Sequence, residues 1–135
     1  MRIVLDTNVL LVSISRRSKY RPIVDALRLQ KYDLLVTSNI LLEYEEIIGL
    51  QSSAEVAGNF LNALQNFSNV HRVNPRFQFR LIPQDPDDEK FVDCAVAGQA
   101  DFLVTNDAHF RQLVEVKFPQ VKVLTAQAFL ELLVL

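Results

Sequence analysis

Four positions in this chain put a carboxylate where a fold would use it. Asp6 closes Ile3-Val4-Leu5, an apolar, β-branched run without polar alternation, which is the pattern of a strand buried on both faces of a parallel sheet. Open α/β sheets bind ligands outside the carboxyl ends of their strands, so a charge placed there faces a crevice. A plain polar turn would also explain Asp6-Thr7-Asn8, but the pattern recurs: Asp107 follows Val104-Thr105-Asn106 at the end of another apolar run. There a helix cap is the competing explanation, since Asp caps helices well.

Asp88 is centred on the stripe made by Phe91, Val92 and Ala95 at i+3, i+4 and i+7, so helical rotation of about 100° per residue turns it toward the core. A carboxylate on that side needs a cation, an arginine or a hydrogen-bond cage. By the same rotation Asp93 falls beside Glu89 and reads as solvated surface. Asp85 and Asp87, in the preceding turn, are substitutes for Asp88. Glu43 and Glu45 lie at the two edges of the stripe formed by Ile40, Leu41, Tyr44, Ile47 and Ile48; rotation excludes only Glu46.

Carboxylates held together with nothing between them repel and raise one another's pKa. Hard cations such as Mg²⁺ and Mn²⁺ take oxygen ligands and relieve that repulsion. In phosphodiester hydrolysis such an ion activates a water, and a pair about 3.5–4 Å apart stabilises both the attacking and the leaving oxygen. No serine, cysteine or histidine constellation competes, because His71 and His109 are isolated and Cys94 faces away from any evident base.

The elements that must position these groups alternate. After the first strand and a loop, Pro22 suits the first turn of a helix running to about Lys31. Asp33-Leu34-Leu35-Val36-Thr37 is a second strand, and Ser38 opens a helix that stops at Gly49. Ser52 and Glu55 have capping-box spacing for a third helix to about Phe67. Val70–Val73 is a short strand, and Asn74–Pro86 is a proline-broken loop whose Arg76, Phe77, Phe79 and Arg80 can stack on nucleic acid or tuck into the core. A helix opening at Asp87 or Asp88 leads to a strand at Asp101–Thr105, a short helix from Asp107 to Val114, a fifth strand at Val121–Leu124 and a last helix from Ala126. This order predicts one α/β domain over residues 1–135, three layers deep, with a central parallel sheet of about five strands. Its final stretch, Phe129–Leu135, is apolar nearly all round and must bury more than one face, which invites self-association.

Composition narrows the partners. Half of the 135 residues are apolar and glycine and proline are scarce, which excludes a disordered chain. A lone cysteine, no leader segment and no apolar run near the ~20 residues of a membrane helix point to the cytoplasm. The net charge of −2 excludes nucleic-acid binding by a bulk electrostatic field. It leaves room for local contacts, and the densest basic run, Arg16, Arg17, Lys19 and Arg21, is placed in the loop after the first strand, beside the crevice.

With these residues assembled, the chain resembles a PIN-domain ribonuclease of the kind that forms the toxin half of VapC-like toxin–antitoxin pairs. Leu5-Asp6-Thr7-Asn8-Val9-Leu10 is similar to the family's opening signature; Asp85-Pro86-Asp87-Asp88-Glu89-Lys90-Phe91 and Ala100-Asp101-Phe102-Leu103-Val104-Thr105-Asn106-Asp107 are similar to its second half. The resemblance implies metal-dependent endonucleolytic cleavage of RNA with Mg²⁺ or Mn²⁺. It implies Asp6, Glu43, Asp88 and Asp107 as catalytic metal ligands, choosing Glu43 over Glu45, with Thr7, Asn8, Thr105 and Asn106 in support. A homodimer and a silencing antitoxin are the implied partners. The chain departs from the pattern at His109, where many relatives carry another acid two residues after the fourth.

Two rivals remain. A phosphorylation-controlled receiver domain also places acids at strand ends, but nothing acidic closely follows the third strand at His71-Arg72-Val73-Asn74. A catalytically silent PIN-like interaction module fits the His109 departure and the apolar last helix.

Overall fold

A computed structural model describes residues 1–76, 88–115 and 120–134. Five strands, β1 (Arg2–Leu5), β2 (Asp33–Val36), β3 (Val70–Arg72), β4 (Phe102–Val104) and β5 (Val123–Leu124), form one sheet in the order β3-β2-β1-β4-β5. Every pairing is parallel. Helices α1 (Thr7–Ile14), α2 (Arg21–Arg28), α3 (Ser38–Gln51), α4 (Ala54–Asn66), α5 (Glu89–Ala97) and α6 (Ala126–Leu133) complete the three-layer α/β/α architecture that the alternation predicts.

The apolar runs become strands because the middle of a parallel sheet has no wet face. Ile3, Val4 and Leu5, Leu34 and Leu35, and Leu103 and Val104 are all fully buried. Burying each such side chain contributes about 1.5–3 kcal/mol. The order of the strands then decides where a ligand can sit. β1 is central; the chain adds β2 and β3 on one side, and returns past β1 to add β4 and β5 on the other. At that reversal the loops leaving β1 and β4 part, which opens a crevice at their carboxyl ends. Leu5 is paired with Val104, so Asp6 and Thr105 are the next residues out on adjacent strands.

Several boundaries differ from the sequence expectation. The segment after β1 is a helix, with its first turn formed directly on Asp6: the N–H groups of Val9 and Leu10 both donate to the Asp6 carbonyl, at 3.0 and 3.1 Å. Its apolar residues run together as Val9-Leu10-Leu11-Val12, and with Val12 exposed beside Asn8 the outer side of this eight-residue helix carries no polar stripe to reveal a helical period. Thr37, and not Ser38, caps α3, its Oγ1 accepting the N–H of Ile40 at 3.1 Å. α3 runs through Gly49 to Gln51, since that glycine has no left-handed φ to end it. Ser53 caps α4 by accepting from Val56 N at 3.1 Å, one residue beyond the expected box, while Ser52 Oγ donates to Ile48 O at 2.7 Å.

Asp93 requires a larger correction, because it is buried rather than solvated. α5 packs on β1, β2 and β4 and also against α3, so Phe91, Val92, Asp93, Cys94 and Ala95 are all enclosed. A one-face stripe underestimates a helix covered from two directions. α5 gives way at Gln99, which takes a left-handed φ of 53°, and the residue before it is a glycine for a steric reason: a Cβ at Gly98 would lie 2.6 Å from Leu35 Cδ1 and 3.1 Å from Val73 Cγ2. The segment after Asp107 is a 3-10 helix, Ala108–Glu115. Phe77, Phe79, Arg80, Asp85 and Asp87, named above as contact residues or substitutes, lie outside the described residues. Among the described residues no helix is long and apolar enough to cross a membrane.

Candidate metal centre at the carboxyl ends of β1 and β4

Asp6 is 6 % exposed and stands at the N-terminus of α1 without capping it. Its side chain turns to β4, where Thr105 Oγ1 donates to Asp6 Oδ2 at 2.7 Å. The Asp6 N–H donates to Val104 O at 3.0 Å, which holds the backbone in register one residue past the strand. Burial pushes the Asp6 carboxyl above its ordinary pKa of 3.8, and the charges of Glu43 and Asp107 push the same way against the Thr105 hydrogen bond. Three carboxylates from three separate parts of the chain therefore share one field.

Glu43 reaches the crevice because its neighbour anchors the helix. Tyr44 is fully buried, and its hydroxyl donates to Leu5 O at 2.6 Å, pinning α3 to the end of β1. Glu43 then accepts a hydrogen bond from Thr7 Oγ1 through Oε2 and pairs with Lys90 Nζ through Oε1 at 2.6 Å. Glu45 is exposed on the other side of the helix, where it lines a groove between α3 and α4 with Leu42, Glu46 and Leu50. Packing thus separates two glutamates that helical rotation leaves equivalent. Lys90 is a residue that sequence reasoning missed. Its place two residues after Asp88 was visible, but nothing in the spacing shows that it meets Glu43.

Asp107 joins the two halves of the site. Its N–H donates to Thr105 Oγ1 at 3.0 Å, so one threonine hydroxyl orients both Asp6 and the Asp107 backbone. The cap reading of Asp107 holds for one oxygen, Oδ1, which accepts the N–H of His109 at 2.9 Å. Asp88, just ahead of α5, has its Oδ2 buried. Ligand-type atoms of Asp88, Asp107 and His109 lie within 4.8 Å of one another. At metal–ligand bonds of about 2.0–2.1 Å, opposite ligands of one ion are about 4.2 Å apart. The donor set therefore fits a small divalent cation after a slight side-chain adjustment.

The supporting positions divide. Thr7 and Thr105 touch the carboxylates. Asn8 is exposed, and Asn106 Oδ1 accepts from Ala126 N at 2.9 Å, which ties the β4 loop to the start of α6. The basic run follows α1 rather than β1 directly, so about 12 Å of helix separates it from Asp6. Arg21 is engaged within the fold, with Nε on Asp25 Oδ1 at 2.9 Å and Nη1 on the Ile14 carbonyl. Arg16, Arg17 and Lys19 are exposed.

A parallel sheet whose order reverses beside β1, with carboxylates at the reversal, defines an open α/β protein with an acidic crevice at its strand ends. The PIN domain family model matches residues 2–109, and the chain belongs to that family. Two crystal structures share its fold. VapBC2 from Rickettsia felis, bound to a DNA fragment from its promoter, superposes with a TM-score of 0.64 at 15 % identity, over 93 % of this chain and 98 % of that one. DNA-bound VapBC from Salmonella typhimurium gives 0.59, also at 15 % identity, with the same coverage. No curated protein matches the sequence.

Proposed function

We propose that this chain is a metal-dependent endoribonuclease, the toxin of a toxin–antitoxin pair. The observation that carries the reading is the convergence of Asp6, Glu43 and Asp107 into one field at the switch point of the sheet, with Asp88 beside Asp107. Family membership supports a nuclease, and the VapBC fold likeness supports an antitoxin partner.

In this reading Asp6, Asp88, Asp107 and Glu43 hold Mg²⁺ or Mn²⁺. The bound ion supplies an activated water and offsets charge growing on the phosphate. Thr105 fixes the Asp6 carboxylate, and Thr7 fixes Glu43. Lys90 pairs with Glu43 and sets a positive charge beside the acids. Arg16, Arg17 and Lys19, a helix length away, grip RNA that extends beyond the reacting bond. Arg21 is left a structural role by its two internal contacts. A homodimer and cytoplasmic residence belong to the same proposal, the former supported by Leu132 and Val134 exposed at the end of α6.

Incubating the purified chain with single-stranded RNA and Mn²⁺, Mg²⁺ or a chelator tests the reading. Internal cleavage should require the divalent ion and vanish in a folded Asp6→Asn variant, while Glu45→Gln should cleave like wild type. A preparation that neither cleaves RNA nor gains thermal stability from Mn²⁺ is instead a silent interaction module.

A further inference from the structure

We infer that His109 supplies a nitrogen ligand to the metal, so that this site selects Mn²⁺ over Mg²⁺. The inference rests on the metal-dependent reading above and concerns a position where the family resemblance leads an acid to be expected.

Three observations carry it. The ring does not simply point to solvent where an acid would otherwise stand: ligand-type atoms of His109, Asp107 and Asp88 fall in one group within 4.8 Å, contributed by the start of α5 on one side and the turn after β4 on the other. His109 Nδ1 lies 3.5 Å from Asp107 Oδ1, close to the roughly 3 Å between adjacent ligands on an ion with bonds of about 2.1 Å. Its backbone is held for the task as well, since the His109 N–H donates to that same Asp107 oxygen at 2.9 Å. The imidazole is therefore attached to the cluster by main chain as well as by side-chain proximity.

Ligand chemistry gives the consequence. Mg²⁺ demands oxygen ligands and dehydrates reluctantly, and a ring nitrogen offers it little. First-row transition ions take mixed imidazole–carboxylate sets more readily than Mg²⁺ does, and of the two ions proposed for this site Mn²⁺ is the transition ion. An aspartate at position 109 would give an all-oxygen set and narrow the discrimination. A histidine there leaves Mg²⁺ with one carboxylate fewer and Mn²⁺ with a directed donor.

Tag-free protein, His109→Asp and His109→Ala are titrated with Mn²⁺ and with Mg²⁺ by calorimetry, and the Mn²⁺ complexes are examined by pulsed electron paramagnetic resonance for coupling to ¹⁴N. His109 is more than half exposed, so both variants should keep the wild-type circular dichroism. Wild type should bind Mn²⁺ about tenfold or more tighter than Mg²⁺ and show an imidazole ¹⁴N coupling. His109→Asp should shrink the Mn²⁺-to-Mg²⁺ affinity ratio and remove the coupling. His109→Ala should weaken Mn²⁺ about tenfold and barely change Mg²⁺. Mn²⁺ binding and RNA cleavage without ¹⁴N coupling, or an affinity ratio unmoved by His109→Asp, overturns the inference and leaves the nuclease reading standing. Absence of both divalent binding and cleavage defeats the two together.

Discussion

Asp6 costs the empty fold stability, and the direction of that cost can be measured. Its carboxyl is pushed above the ordinary 3.8 chiefly by burial, then by Glu43 and Asp107. The folded chain therefore binds the Asp6 proton more tightly than the unfolded chain does. In the window from about pH 4 up to the raised pKa the native state carries more protons, so stability falls as pH rises through it. Metal-free wild type should lose thermal stability across that window relative to Asp6→Asn, which has no proton to release there; Mn²⁺ should restore the loss at neutral pH. Parallel melting curves for the two proteins would refute this electrostatic account. Thr105 works against the same strain. Thr105→Val removes the donor to Asp6 and the acceptor for Asp107 N–H, and should cost about 1.5–3 kcal/mol in urea unfolding at neutral pH. RNA cleavage should fall with it, because the hydroxyl orients both acids. An unchanged urea midpoint would show that water replaces the hydroxyl.

The elements make the site precise through their ends. α1 starts on Asp6, α3 is pinned by Tyr44 to Leu5 O, and the end of α5 sits close against Leu35 and Val73 at Gly98. A methyl at Gly98 meets side chains of a filled core, so Gly98→Ala should destabilise the protein by about 1–3 kcal/mol, read as a lower denaturation midpoint with an unchanged slope. A neutral result would mean that Leu35 yields without loss. At this scale the strands and α2 through α6 were legible from apolar runs, Pro22 and cap residues. α1 was not, because its apolar residues surround a helix too short to show a period. Asp93 was misread for the converse reason: its helix is covered by both the sheet and α3, and no one-dimensional pattern reports a second covering layer.

The whole molecule, at a net charge of −2, cannot hold RNA by its overall field. Binding should therefore be weak without divalent ion and only shallowly salt-dependent. If Arg16 and Arg17 each meet one phosphate of a single strand, replacing both with alanine should reduce the slope of log affinity against log salt by about 1.4. A slope that does not move would take them out of the interface. Sequence alone determined the alternation of strands and helices, and hence a parallel sheet with acids at the carboxyl ends of its strands, because burial on both faces and capping leave local marks on neighbouring residues. Which acids meet was legible only through the family resemblance, and the contacts that bring them together form in three dimensions. The strand order put β1 beside β4, α3 packing chose Glu43 over Glu45, and the Glu43–Lys90 pair and the Asp88–Asp107–His109 group join residues from separate elements. Contacts between distant segments depend on how the layers close over one another, and that closure has no counterpart in the spacing of residues along the chain.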